Sequence, residues 1–159
     1  MIHDCDRKTI TVIQLAEGLD RAEVDRILFL ANQCQHSFLY ELHKEILPLA
    51  DKYKLPNGGA DLCEALESLL RQKKYRGLPR PLIALSSVPF GDRDQGNEPG
   101  WFFFYSQELD YDAQVAIIST QPLEVLPQSR TLENYLLMLL ATDILCKYAD
   151  MVPVGHGKA

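Results

Sequence analysis

Strand-like and helix-like segments alternate along the first half of the chain, and this alternation limits the fold more than any other feature. Residues 9–15 (TITVIQL) are β-branched and apolar, which predicts a buried strand. Asp20 and Glu23 then have the spacing of a capping box, in which the Asp20 carboxylate accepts a hydrogen bond from the Glu23 amide. The predicted helix has an apolar face with a period of about 3.6 residues, formed by Val24, Ile27, Leu28, Ala31 and Cys34.

More strands and helices are predicted in the rest of the sequence. The apolar residues Phe38, Tyr40 and Leu42 alternate with Ser37, Glu41 and His43, which predicts a second strand, with a continued helix as the alternative. Residues 56–59 (PNGG) predict a turn, and Asp61 and Glu64 repeat the capping-box spacing before a second helix. Three more strands and a last helix capped by Thr131 complete the prediction, the strands being residues 81–88 (PLIALSSV), 101–106 (WFFFYS) and 113–119 (AQVAIIS).

The predicted order β-α-β-α-β-β-β-α indicates an α/β fold with a mixed, mostly parallel sheet and flanking helices. Three successive strands without a helix between them require at least one antiparallel strand, which we assign to residues 101–106 at an edge. A chain of 159 residues has the length of one domain. We therefore expect residues 1–150 to form a single domain and residues 151–159 a flexible C-terminal tail.

The charge of the chain limits its partners. A net charge of −6 opposes nucleic acid as the main partner, because an acidic surface repels phosphate. The same charge would suit a small acidic inhibitor or immunity-type protein that blocks a basic active site. One basic cluster is interpreted as the cationic end of the second helix, and its members are Arg71, Lys73, Lys74, Arg76 and Arg80.

The cysteines and the apolar segments indicate a cytoplasmic protein. No apolar run reaches the ~18 residues that a membrane-spanning helix needs, and the N-terminus has no apolar signal-peptide core. The cysteines form no C-x-x-C pair and no disulfide framework, which favours a reducing compartment. Three of them are predicted to act as small core hydrophobes, namely Cys34, Cys63 and Cys146.

No metal or cofactor site is predicted. The sequence has no H-E-x-x-H, and although His3-x-Cys5 and Cys34-x-His36 could in principle supply four ligands, nothing in the sequence brings them together. The loop from Asp92 to Glu98 resembles a calcium loop, but Gly96 comes one position too early, so we expect a solvated loop.

Candidate nucleophiles lie near predicted strand ends without forming a catalytic motif. Ser86, Ser87, Ser119 and Thr120 hold such positions, but none lies in G-x-S-x-G. A hydrolase is therefore possible only with a site assembled from dispersed residues, for which the candidates are Asp92, Asp94, Ser119, Cys34 and His36.

An aromatic run is the candidate partner-binding segment. It consists of Trp101, Phe102, Phe103, Phe104 and Tyr105. One interpretation is a strand buried between two layers. The other is an edge strand that pairs with a partner protein or with a second copy of the chain, since such an apolar edge must be covered.

The element order, with its aromatic edge strand followed by a long helix, resembles the zincin-like fold, especially that of archaemetzincin-type metalloproteases. The resemblance covers residues 81–149, with residues 115–120 (VAIIST) as the strand that leads into the helix and Arg130 just before it. It implies H-E-x-x-H on that helix, where the two histidines bind zinc and the glutamate activates water. Residues 139–143 instead read LLATD, and His156 lies beyond the helix, so no catalytic residue carries over.

These observations favour a non-catalytic protein-interaction or scaffold domain, in effect a zincin-like protein without its metal. The alternatives are the hydrolase with a dispersed site and the acidic inhibitor.

Overall fold

Eight helices and strands form the framework of the part of the chain that the structure describes. The structure, a computed structural model, describes residues 7–56, 58–91, 106–109, 112–120 and 132–143. In chain order the elements are β1 (Lys8–Leu15), α1 (Arg21–Cys34), β2 (Phe38–Leu47), α2 (Leu62–Arg71), β3 (Leu82–Ser86), β4 (Ser106–Leu109), β5 (Asp112–Ser119) and α3 (Leu132–Met138). A π-helical turn, Leu139–Asp143, continues α3. The predicted order β-α-β-α-β-β-β-α is confirmed, including a strand rather than a helix at residues 38–42.

The strands form one five-stranded sheet in the order β2-β1-β3-β5-β4. β2, β1, β3 and β5 run parallel, and β4 pairs with β5 in the antiparallel direction. The mixed, mostly parallel sheet is therefore confirmed, and its antiparallel strand lies at an edge. That strand is Ser106–Leu109, so it starts where the predicted strand of residues 101–106 ends.

Helices cover both faces of the sheet, and each face has its own core. On the α1 face, α1 and α3 pack against strand residues that include Val12, Ile83 and Ile118. On the α2 face, α2 packs against the neighbouring residues Ile13 and Ala84, among others. Successive strand residues point to opposite faces, which explains why adjacent positions enter different cores. Strands covered on both faces are expected to be continuously apolar, as β3 is.

Two predicted helix caps have different outcomes. The Asp61 carboxylate accepts a hydrogen bond from the Glu64 amide at 3.2 Å, which confirms the predicted contact at the start of α2. The predicted contact at α1 is wrong, because the Asp20 carboxylate accepts from the Ala22 amide at 3.0 Å instead of from Glu23. Both are N-cap contacts, since the cap side chain can reach either the second or the third helical amide.

The interpretation of the basic cluster as the cationic end of α2 holds for Arg71, which lies in the last turn of the helix, and is wrong for the other four residues. α2 ends at Arg71, and the backbone becomes extended at Gln72. Lys74 pairs with Glu45 of β2 at 3.2 Å, and Arg80 pairs with Asp112 of β5 at 3.1 Å. The cations are therefore distributed over a turn region, where acids from other elements offset part of their charge.

Cys34 is not a core residue, contrary to the prediction, because it is exposed at the last position of α1. With 3.6 residues per turn it lies about 70° from the centre of the buried face of that helix. Cys63 is partly buried and packs against the α2 core. Cys146 lies outside the described residues.

Several other predictions also fall on residues that the structure does not describe. They concern His3, Cys5, Asp92, Asp94, residues 101–105, Arg130, Thr131, His156 and the tail of residues 151–159. Among the residues that are described, no helix has both the length and the apolarity needed to cross a bilayer.

We predict that Leu136→Ala lowers the free energy of unfolding by about 2–5 kcal/mol, because Leu136 is fully buried between α3 and the sheet. Met138→Ala is the control in the same helix, since the Met138 side chain is 42% exposed. It is expected to cost less than about 1 kcal/mol. Urea denaturation measures both, and equal losses would contradict the packing of α3 described above.

Candidate functional site

A ligand site is expected at the carboxyl ends of the parallel strands, because open α/β sheets bind ligands where the strand order reverses. Here the reversal lies between β1 and β3, since the chain goes from β1 to β2 on one side and returns to β3 on the other. The connection after β1 contains two residues with positive φ, Ala16 at 71° and Gly18 at 123°. Ser87 follows β3 and donates a hydrogen bond to the Glu17 carbonyl at 3.2 Å.

Gly18 is required at this crossing for two reasons. Its φ lies in the region that other residues adopt only with strain. A Cβ atom at this position would also lie 2.2 Å from the Ser87 hydroxyl oxygen. The β1–α1 connection therefore packs directly on the segment after β3, which leaves little space between them.

The predicted hydroxyl residues meet at this edge, but they are bound to the main chain. Ser86, Ser119 and Thr120 are buried. The Ser119 hydroxyl donates to the Val88 carbonyl at 2.9 Å, and the Thr120 hydroxyl donates to the Ser86 carbonyl at 3.3 Å. The Ser86 hydroxyl accepts from the Val88 amide at 3.1 Å. These bonds join the ends of β3 and β5, which is a structural role.

A groove of about 400 Å³ opens beside this crossing, at the ends of β1 and β2. Its walls are mainly apolar, and the lining residues are Ala16, Glu17, Ile46, Leu47, Pro48, Leu49, Lys54 and Val88. Lys54 forms an ion pair with Asp51 at 2.9 Å. This hydrogen bond and the Lys54 charge hold the pKa of Asp51 below its usual value. The lining offers one carboxylate and one amine, without a nucleophile paired to a base.

Cys34 and His36 lie at the other end of the strands, next to the amino end of β2. They belong to the connection from α1 to β2, where His36 Nδ1 accepts a hydrogen bond from the Arg7 guanidinium at 3.1 Å. At this end, Lys8 and Phe38, the first residues of β1 and β2, pair with each other. Ser119 lies at the carboxyl ends, about 23 Å away by the length of β1. The structure therefore does not bring Cys34 and His36 to Ser119, while Asp92 and Asp94 lie outside the described residues.

Polar side chains at the C-terminal end of α1 and at its C-cap bind the edge strand β2, and these contacts were not predicted from the sequence. The Asn32 amide accepts from the Tyr40 N–H at 2.7 Å and donates to the Tyr40 carbonyl at 3.0 Å. The Gln35 amide accepts from the Phe38 N–H at 2.8 Å and donates to the Phe38 carbonyl at 2.8 Å. The sequence carried no signal for these contacts, because their partners are main-chain groups that any residue possesses.

A bulge interrupts β2 beyond these contacts. Its pairing with β1 jumps from Val12↔Leu42 to Gln14↔Ile46, so β2 contains two more residues than β1 in this interval. The Arg21 guanidinium, at the start of α1, donates to the carbonyl oxygens of His43 and Lys44 within the bulge. Helix α1 therefore contacts the main chain of β2 at both of its ends.

Among the described strands, β4 lies at the edge of the sheet opposite to β2. Ser106 pairs with Ile118, and Gln107 pairs with Ile117. The aromatic run of residues 101–105 immediately precedes this strand in the sequence, and it lies outside the described residues. The run is therefore joined directly to an edge strand.

Helix α3 follows β5 in the sequence and shows whether a zinc site fits there. Its described part contains no histidine, and Leu136, Leu139 and Leu140 are buried in the α1 core. Glu133, the first carboxylate of this helix, pairs with Arg26 of α1 at 2.9 Å. In the part of the chain that the structure describes, no three His, Cys, Asp or Glu side chains are grouped so that they could hold a metal ion. The described side chains of α3 thus do not fit zinc.

We predict that Gly18→Ala lowers the free energy of unfolding by about 1–3 kcal/mol, through backbone strain and the collision with Ser87. Gly77→Ala is the matched control, since a Cβ there meets no atom within 4 Å. It is expected to change stability by less than about 1 kcal/mol. Adding Ser87→Ala to Gly18→Ala should recover part of the loss. Urea denaturation tests these values, and equal effects of the two alanines would refute the close packing at the crossing.

Comparison with known proteins identifies the fold but no close relative. No protein-family model and no curated protein sequence matches the chain. The crystal structure of archaemetzincin from Methanopyrus kandleri is similar with a TM-score of 0.55 at 15% sequence identity, over 92% of this chain and 74% of that one. At this identity the similarity concerns the fold alone. The chain has a zincin-like fold, as the predicted element order indicated.

Proposed function

We propose that this chain is a non-catalytic domain with a zincin-like fold, which binds a protein partner by pairing a partner strand with β4. The observation that carries the proposal is the position of β4, which is the last of the described strands at this side of the sheet and directly follows the aromatic run of residues 101–105 in the sequence. An edge strand presents main-chain donors and acceptors that an extended peptide can pair with. Aromatic side chains beside such an edge would add apolar contact area.

The absence of the metalloprotease motif supports a non-catalytic function. The sequence contains no H-E-x-x-H, which is the pattern that binds zinc and activates water in zincins. In the helix after β5, Leu139 and Leu140 serve the core. The similarity to archaemetzincin, at 15% identity, supports a common fold and carries no activity to this chain.

The difference between the two edges of the sheet supports β4 as the binding edge. At the β2 edge, Asn32, Gln35 and Arg21 bind main-chain groups of the strand from within the same chain. A partner strand would have to displace these side chains before it could pair with β2. β4 is the other end strand, and we therefore place the partner there.

The alternatives have less support. A hydrolase built from the dispersed residues would need Cys34 and His36 close to Ser119, yet they lie at opposite ends of the strands. An acidic inhibitor rests on the net charge of −6, and it predicts that binding to a basic partner weakens steeply with salt. As part of the proposal we place the protein in the cytoplasm, because Cys34, in the described part of the chain, is an exposed cysteine outside any disulfide.

The test uses a displayed library of extended peptides, with binding to the whole chain measured by calorimetry and mapped by amide chemical shifts. We expect the selected peptides to shift the amides of residues 106–109. Main-chain groups of successive strand residues point alternately toward β5 and away from it, so Ser106→Pro and Gln107→Pro should differ. The proline that faces outward should weaken binding at least about tenfold while the melting temperature is kept. The other proline should break a bond to β5 and lower the melting temperature.

Three outcomes decide between the hypotheses. Peptides that map to residues other than 106–109 would argue against β4 as the binding edge. Stoichiometric zinc in the purified protein, together with cleavage of the peptides, would refute a non-catalytic function. Binding that is lost at moderate salt and confined to basic peptides would favour the inhibitor.

A further inference from the structure

We propose that the C-terminal end of α1 and its C-cap residue form a built-in strand mimic: the side-chain amides of Asn32 in the helix and Gln35 at the C-cap occupy the pairing positions of β2 and thereby prevent a second copy of the chain from pairing there. The proposal concerns the β2 edge and does not depend on the proposed function at β4. It rests on four hydrogen bonds between these two amides and the main chain of Phe38 and Tyr40.

The first step is the direction in which the main chain of β2 points. The Lys8 amide donates to the Ser37 carbonyl at 3.2 Å, so Ser37 faces β1. Main-chain groups alternate in direction along a strand, so Phe38 and Tyr40 face away from β1. Their N–H and C=O groups are the ones that a neighbouring strand would use.

The second step is the chemistry of the side chains that meet these groups. A side-chain amide has one carbonyl and one NH₂ group, so it can bind an N–H and a C=O as a peptide group does. Asn32 binds both groups of Tyr40 at 2.7 and 3.0 Å, and Gln35 binds both groups of Phe38 at 2.8 Å. These distances are those of ordinary hydrogen bonds. The main-chain N–H and C=O groups of Phe38 and of Tyr40 are therefore all paired within the chain.

The contacts are also protected from water. Gln35, Phe38 and Tyr40 are 8%, 0% and 3% exposed, respectively. The Gln35 amide makes two further bonds, accepting from the Ser37 amide at 2.9 Å and donating to the Ala31 carbonyl at 3.3 Å. Four bonds hold this side chain in place, so the β2 edge does not open without a loss of hydrogen bonds.

The third step is the identity of the excluded partner. Without the two amides, the main-chain groups of Phe38 and Tyr40 would be left unpaired along an edge strand. In an antiparallel pair about a twofold axis at Leu39, Phe38 of one copy would lie opposite Tyr40 of the other. Each such pair exchanges two hydrogen bonds, so the four groups released in one copy match the four released in the other. A second copy of the chain is therefore a self-complementary partner.

The bulge limits how far such pairing could extend. Arg21 binds the carbonyl oxygens of His43 and Lys44 in this part of β2. Bulges of this kind are one way in which proteins end strand pairing at an edge. The segment of residues 38–42 is thus the part of β2 where the two amides are decisive.

The test compares the double variant Asn32→Ala/Gln35→Ala with the wild type by sedimentation velocity over a wide range of protein concentration. Gln33→Ala is the matched control, since it removes an exposed amide from the same helical turn. We expect the double variant to dimerise at least about tenfold more tightly than the wild type. The control should sediment like the wild type at every concentration.

Hydrogen exchange locates the interface. In the wild type, the Phe38 and Tyr40 amides should exchange slowly although they belong to an edge strand. In the double variant they should be protected in the dimer and exchange rapidly on dilution. Asn32→Asp keeps an acceptor for the Tyr40 amide and adds a charge at the edge, so it should not promote dimerisation.

Three results would overturn the proposal. One is a folded double variant, shown by circular dichroism, that self-associates no more than the wild type. Another is a dimer whose protected amides lie away from residues 38–42. The third is a wild-type dimer already formed through these amides. If the double variant does not fold, Asn32→Ala alone decides the question by the same measurements, since it releases the Tyr40 groups and leaves the Gln35 contacts intact.

Discussion

The burial of β1 on both of its faces is the constraint on which the rest of the structure depends. Val12 belongs to the core under α1, and its neighbour Ile13 belongs to the core under α2. β1 also pairs on both sides, with β2 and with β3. A strand without an open face or edge requires a helical layer above it, another below it and a neighbour on each side. Those requirements place α1 and α2 on opposite faces, and they produce the reversal of strand order at the carboxyl ends.

That reversal normally creates a crevice for a ligand, but here the residues around it contribute mainly to stability. Gly18 and Ser87 fill the crossing between β1 and β3. The hydroxyl groups of Ser119 and Thr120 donate hydrogen bonds to main-chain carbonyls. A nucleophile needs a base within hydrogen-bond reach, and these hydrogen bonds orient the hydroxyls toward the backbone instead. The packing at this edge therefore gives these hydroxyl groups a structural role.

The two outer strands of the described sheet, β2 and β4, differ in what contacts their main chain, and this difference connects the fold to the proposed function. At the β2 edge, Asn32 of α1 and the C-cap residue Gln35 bind the main chain of β2, so this edge is closed by the chain itself. At the other end lies β4, joined in sequence to five aromatic residues. A sheet that must meet a partner at a single edge benefits from closing the other one, because an open apolar strand also pairs with copies of itself.

Local periodicity determined the elements, their order and hence the zincin-like arrangement, because the apolar period of a helix or strand is written in neighbouring residues. The contact between Asp61 and the Glu64 amide was predictable for the same reason, since both groups lie within one turn. Only the tertiary structure decided that Cys34 is exposed, that Ser119 lies far from His36, and that Arg80 pairs with Asp112. It also decided that Asn32 and Gln35 bind the β2 edge. These outcomes depend on which main-chain and side-chain groups lie opposite one another in the folded chain. A periodic pattern predicts the apolar side of a helix or strand, but it does not predict which groups that side will contact.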